Sequence, residues 1–296
     1  GDLESLNDVV RASDSHVIAL DPDPARCAAA RLQFETSGDL GRRVAFVESD
    51  LTSAGLPPYM ATLLLCLDRN AVGTTNMAEL AAACFHVLRP YGGTGVVSTS
   101  EVDHAALVRS QAQLAGMELT RQENTSIITR AGSLIGAAPW THQGGNISNT
   151  QMSEDTRVRA PLGLLWFGGP SNKDVLPRHG HGPTPQVASG RLIIEGPDML
   201  RAVDVYTGRK LWQRELPDVG LYYNNTGHHP GASAIGSNFV SLPDGIYVAW
   251  DRRCLRLDAA SGETVSTFSL PADESGNNPV WGFVGVRGEL LIAGSS

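Results

Sequence analysis

Three aspartates in the first half of the chain each follow a short apolar run: Asp21 after VIAL (17–20), Asp50 just beyond VAFV (44–47), and Asp68 at the end of the stretch 61–67. A carboxylate so placed can accept two hydrogen bonds at once, for instance from neighbouring hydroxyls, which fixes geometry as well as adding energy. The second half carries two histidine-bearing, glycine-rich passages, RHGHG (178–182) and GHHPG (227–231). His179 and His181, two apart in an extended segment, would point the same way. His228 or His229 would supply a third neutral imidazole, the ligand type that zinc and copper sites use. No acid or thiol stands at ligand spacing, and loop histidines commonly hydrogen-bond to nearby carbonyls. The expectation is therefore structural or ligand-lining loops and no metal, with His179, His181 and His228 the candidates for one. Cys27, Cys66, Cys84 and Cys254 show no C-x-x-C spacing and read as buried thiols.

Composition narrows the classes. The chain has 296 residues, 42% of them hydrophobic, and a net charge of −8. That is too apolar for a disordered tail and long enough for two folded units. Its dispersed basic residues, only Lys173 and Lys210 being lysines, give no footprint for nucleic acid. The longest apolar stretch, 61–67, is far short of the roughly 20 residues of a transmembrane helix, so no membrane-spanning segment is expected. The acidic start (Asp2, Glu4, Asp8) does not read as a secretory signal.

The elements that must hold the aspartates read as β-α repeats. After the strand at 17–20, Pro22, Asp23 and Pro24 supply turn and helix-start chemistry, and a helix over 25–36 closes at Gly38 and Gly41. Strands follow at 44–47 and 61–67, then an Ala-rich helix over 77–88, the turn RPYGG (89–93) and a strand at 95–99. Apolar strands joined by helices imply a mainly parallel sheet with its ligand site at the carboxyl ends of the strands.

Asp21, Asp50, Asp68 and the LRPYGG passage (88–93) together resemble the class I S-adenosylmethionine-dependent methyltransferases. The resemblance implies a Rossmann-like α/β domain over 1–132 with S-adenosylmethionine as cofactor. It implies that Asp21 holds the ribose hydroxyls and Asp50 receives the adenine amino group. Gly1, 20 positions before Asp21, stands where the family's Gly-rich cofactor loop would end, with 2–10 opening the first helix. On this reading the first strand and most of that loop are lacking. LPPY (56–59) resembles the N/D-P-P-Y motif of amino-methylating enzymes, but it precedes its strand and has Leu56 for the amide or acid, so it reads as a loop. Asp68, beyond the third strand, is the candidate catalytic residue, placed to orient a nucleophile or act as base.

Composition changes near 132–139, and 133–139 reads as a linker. The remainder, 140–296, repeats itself: GRLIIEGPDMLRAVDVYTGRKLWQREL from Gly190, DGIYVAWDRRCLRLDAASGETVSTFSL from Asp244, and GELLIAGSS from Gly288. Asp204 and Asp258 are 54 residues apart, a propeller period. The first copy resembles the PQQ-like β-propellers, whose tryptophan-docking pattern is met by Ala202, Asp204, Thr207, Gly208 and Trp212. The second keeps Asp258 and Gly262 but has Ser261 and Ser266. These are turn and packing residues. WTHQ (140–143) through Asn149, and then LLWF (164–167), resemble the segment that opens such propellers. About two and a half blades are visible, so the remaining blades are expected outside this chain. No Cys-Cys pair occurs, which argues against bound PQQ.

Two functions follow from these resemblances. One is a methyltransferase-like protein whose propeller binds a small-molecule or protein substrate. The alternative is a non-catalytic propeller scaffold or binding protein carrying a degenerate methyltransferase-like domain. The first half implies a cytoplasmic setting and the second a periplasmic or exported one, which leaves the compartment open.

Overall fold

The structure, a computed structural model, describes residues 3–68 and 72–295. The chain divides into two compact units, Gly1–Gly132 and Ser133–Ser296. No helix among the described residues is long and apolar enough to cross a membrane.

In the first unit α1 (Leu3–Ala12) leads to β1 (Val17–Leu20), α2 (Pro24–Thr36) and β2 (Val44–Val47). Asp23 caps α2 by accepting from the backbone of Ala25 and Arg26, and Pro24, with no N–H to satisfy, opens it. Next come β3 (Leu63–Cys66), α3 (Met77–Val87), β4 (Gly93–Ser98), α4 (Glu101–Gln111), β5 (Met117–Gln122) and β6 (Thr125–Arg130). The α4 helix begins in a reciprocal capping box between Ser100 and Asp103.

The sheet is in two pieces. β1 and β2 pair in parallel, while the second piece runs β3-β4-β6-β5. Only β3 and β4 are parallel there; β6 runs antiparallel to both β4 and β5. The sheet is therefore mixed rather than mainly parallel, because the β5–β6 hairpin, turning at Glu123 (φ 50°), returns the last strand into the sheet interior. β3 is also shorter than the apolar run suggests. Ala61 makes only an isolated bridge to Leu88.

Two apolar clusters fill this unit. Leu80, Cys84, Leu107 and Ile128 centre the larger, and Val10, Phe34 and Val44 the smaller. On β3, Cys66 faces the larger cluster, whereas Leu63 and Leu65 are 57% and 52% exposed.

The second unit is all β apart from short turns and the helix α5 (Ala232–Ile235). β7 (Gln186–Ala188), β8 (Arg191–Gly196), β9 (Met199–Asp204) and β10 (Lys210–Glu215) form one four-stranded antiparallel blade. β11 (Phe239–Leu242), β12 (Gly245–Trp250), β13 (Arg253–Leu257) and β14 (Thr264–Ser269) form a second, and β15 (Trp281–Arg287) pairs with β16 (Leu290–Ser295). Ile193, Leu200 and Ala202 of the first blade share a core with Ile246, Val248 and Leu257 of the second. Buried Gln186 ties the two, its amide donating to Phe239 O (2.9 Å) and accepting from Ser241 N (2.7 Å). The chain is thus an α/β unit followed by an all-β, partial propeller.

Candidate functional site

Asp21 and Asp50 lie on one edge of one layer. β1 and β2 are neighbours in register, Leu20 opposite Val47, so both aspartates follow carboxyl ends that point the same way. Asp21 N–H donates to Val47 O (3.2 Å), which carries the pairing one step past the strand. Asp21 Oδ1 accepts from Asp23 N (2.8 Å) and from the Arg26 guanidinium (2.9 Å). Asp50 closes its own turn, Oδ1 accepting from the Thr52 hydroxyl (2.7 Å) and Ser53 N (2.8 Å), and Oδ2 from the Ser53 hydroxyl (3.1 Å). The Thr52 hydroxyl, ahead of the Ser53 contacts, holds the Asp50 carboxyl below the usual carboxylate range.

The loop after β3 reaches the same place. Gly73 (φ 85°) packs so tightly on Asp50 that a Cβ there would strike the carboxyl group and the Thr52 hydroxyl. Nothing in the local sequence marks this glycine, since its partner lies 23 residues away. Asp68, half-buried, follows β3. Gly1 lies outside the described residues, as do Arg69 and Asn70.

These residues fit the nucleoside half of S-adenosylmethionine. Among the described residues Asp21 accepts through Oδ1 and Asp50 Oδ2 accepts one hydrogen bond, which leaves acceptor capacity on both acids.

In the second unit the repeated turns are built alike. Asp204 Oδ1 accepts from Tyr206 N and Thr207 N; Asp258 Oδ1 accepts from Ala260 N and Ser261 N. Gly208 (φ 71°) and Gly262 (φ 76°) complete them. Each glycine is covered by a tryptophan from the preceding element: Trp212 lies over Gly262 and donates to Ala259 O (3.1 Å), while Trp166 lies over Gly208 and donates to Val205 O (2.8 Å). These residues serve turn and packing roles.

The histidine passages meet. His181 Nε2 stands 3.3 Å from His228 Nδ1, and the His179 ring sits edge-on to His228 with centroids 4.8 Å apart. His229 turns away to Asn225 (2.9 Å) and Pro230 O (3.1 Å). Among the described residues no three His, Cys, Asp or Glu side chains are arranged to hold a metal. All four cysteines are buried, and among the described residues none of them forms a disulfide.

One group escaped sequence reasoning. Glu195 is 5% exposed, and among the described residues neither its carboxyl oxygens nor Asn238 Oδ1 has a partner in hydrogen-bonding geometry. Burial pushes the Glu195 pKa up to about 8, against a smaller opposing pull from the Asn238 side chain.

No family model matches the chain, and no curated protein is similar to it. Solved structures are. A putative sarcosine dimethylglycine methyltransferase from Galdieria sulphuraria is 14% identical, with 40% of this chain and 51% of that one covered and a TM-score of 0.32. A putative S-adenosyl-L-methionine-dependent methyltransferase from Methanococcus maripaludis is 11% identical over 42% of this chain and 70% of its own, with a TM-score of 0.36. The quinohemoprotein alcohol dehydrogenase from Comamonas testosteroni is 20% identical over 54% of this chain and 24% of its own, with a TM-score of 0.37. The chain spans about half the length of the Galdieria protein and of the [4+2]-cyclase SpnF, at 51% and 48%.

Proposed function

We propose that the first unit is a S-adenosylmethionine-dependent methyltransferase-like domain and that the propeller unit binds its substrate or a partner. The observation that carries this reading is the placement of Asp21 and Asp50 on one carboxyl edge of a parallel strand pair, where open α/β sheets bind their ligands. Asp21 would accept from the ribose hydroxyls and Asp50 from the adenine amino group. Asp68 would orient the incoming nucleophile or take its proton. The cofactor, when bound, supplies the electrophilic methyl group. What the protein must add is alignment and exclusion of water, with at most one base.

The reading takes the sheet to be completed by a further strand between β1 and β3. Each keeps an unpaired edge among the described residues, and the exposed Leu63 and Leu65 face is uncharacteristic of a layer covered on both sides.

The alternative, a propeller scaffold carrying a degenerate domain, is favoured by one observation: both carboxylates are already engaged, Asp21 by Arg26 and Asp50 by Thr52 and Ser53. Calorimetry with S-adenosylhomocysteine separates the two. A methyltransferase-like site gives saturable heat, and Asp21→Asn weakens binding by roughly tenfold or more, the worth of a charge-assisted hydrogen bond. Absence of heat favours the scaffold, and an unchanged affinity in Asp21→Asn removes Asp21 from the binding site.

A further inference from the structure

RHGHG and GHHPG are 45 or more residues apart in sequence, yet the fold fastens them to one another. His181 O accepts from Ala232 N (2.9 Å), and Gly231 packs so closely on His181 that no Cβ fits between them. On the other side Gly180 packs as closely on the Tyr223 carbonyl. His181 itself is held in the left-handed region (φ 50°, ψ 41°). The backbone therefore fixes where the His181 imidazole emerges beside the GHHPG passage.

The facing nitrogens of His181 and His228 are 3.3 Å apart and hydrogen-bonded to one another, one ring donating and the other accepting. That spacing matches the separation of two nitrogens on one tetrahedral ion, about 3.3 Å for metal–nitrogen bonds of about 2.0–2.1 Å. We propose that His181 and His228 chelate a divalent cation of the zinc, copper and nickel class, with His179 beside them as a third imidazole.

The donor set selects the class. It is imidazole without a paired carboxylate, which suits borderline transition metals and not calcium or magnesium. All three histidines are exposed, so a cation has access. His229 belongs to a different set of contacts, with Asn225 and Tyr222, and stays out of the chelate. In this geometry the site is a two-nitrogen chelate, His179 meeting His228 through its ring edge. Two imidazoles, or three, leave coordination positions for water or a small anion, and neutral ligands leave the ion's charge uncompensated.

The test uses the full chain without a histidine tag, titrated with zinc chloride and with nickel chloride in a calorimeter. One equivalent is expected to bind, with at least a tenfold loss of affinity in His181→Ala and in His228→Ala and none in His229→Ala or His16→Ala. Copper(II) bound to the protein should show the electron-spin-echo signature of two or more imidazoles, reduced by one in each of the first two variants. Zinc should raise the melting temperature of the wild type and not of the double variant, which also shows that the double variant is folded. Weaker binding in His179→Ala supports the third imidazole, and unchanged binding removes it. Wild-type affinity in the His181→Ala/His228→Ala double variant, or no saturable binding up to millimolar metal, overturns the proposal.

Discussion

At the scale of single residues, the acids of this chain separate by what surrounds them. Asp50 sits among hydroxyls and a backbone N–H that favour its charge, while at Glu195 burial outweighs the smaller pull of the Asn238 side chain. The folded protein binds the Glu195 proton more tightly than the unfolded chain, at about 8 against 4.5. Stability contributed by this group is therefore complete below about pH 4.5 and declines as pH rises toward 8. Glu195→Gln is neutral at every pH and keeps the shape. Its melting temperature should exceed that of the wild type above pH 7, with the two curves converging toward acid. Parallel melting curves from pH 4 to 9 would show that Glu195 is solvated and charged.

At the scale of elements, the docking of Trp212 on the turn at 258–262 joins two blades through one ring. Trp212→Ala removes that ring and its hydrogen bond to Ala259, a loss of roughly 3–5 kcal/mol by chemical denaturation. Glycine substitutions separate the contributions. Gly262→Ala meets both a positive φ (76°) and the Trp212 ring at 2.7 Å, whereas Gly276→Ala meets only a positive φ (82°) in open space. Gly276→Ala should cost about 1 kcal/mol and Gly262→Ala clearly more; equal losses would mean that the ring yields.

The same elements show what a sequence can disclose. Asp204, Thr207, Gly208 and Trp212 were legible because turn chemistry is local: side-chain acceptor, backbone donors and left-handed glycine fall within five residues. Likewise the strand at 44–47 ends where its apolar run ends, with Asp50 three residues on. Trp166 was visible only as part of an opening segment, because its partner Val205 is 39 residues distant. The β5–β6 hairpin lacked an Asn-Gly or Gly-Gly turn to announce it, being built on Glu123-Asn124 instead. Glu195 stands in a strand whose pattern admits an outward-facing acid, and only the packing of loops from elsewhere, Gly220 among them, buries it. The two histidine pairs were each apparent, but their meeting depends on Ala232 bonding back to His181 across 51 residues.

At the scale of the whole molecule, each unit buries its own apolar clusters: Leu80, Leu107 and Ile128 with Val10 and Phe34 in the first, Ile193, Ile246 and Trp281 in the second. Each of these clusters draws on residues of one unit, so scanning calorimetry should resolve two transitions. Trp212→Ala should lower only one of them, and a single transition displaced as a block would contradict independent cores.

The tryptophan docking also has a sense of direction. Trp166 clamps the turn of the first blade and Trp212 that of the second, each ring reaching forward, and at the next corresponding position the chain has Ser266 in place of a ring. Under mechanical load the fastening is therefore lopsided. A pull on the amino side of this unit meets Trp166 and then Trp212 in succession, whereas a pull on β15 and β16 is opposed not by a ring clasp but by the packing of Trp281, Val284 and Val286 on Val240 and Tyr247 of the second blade.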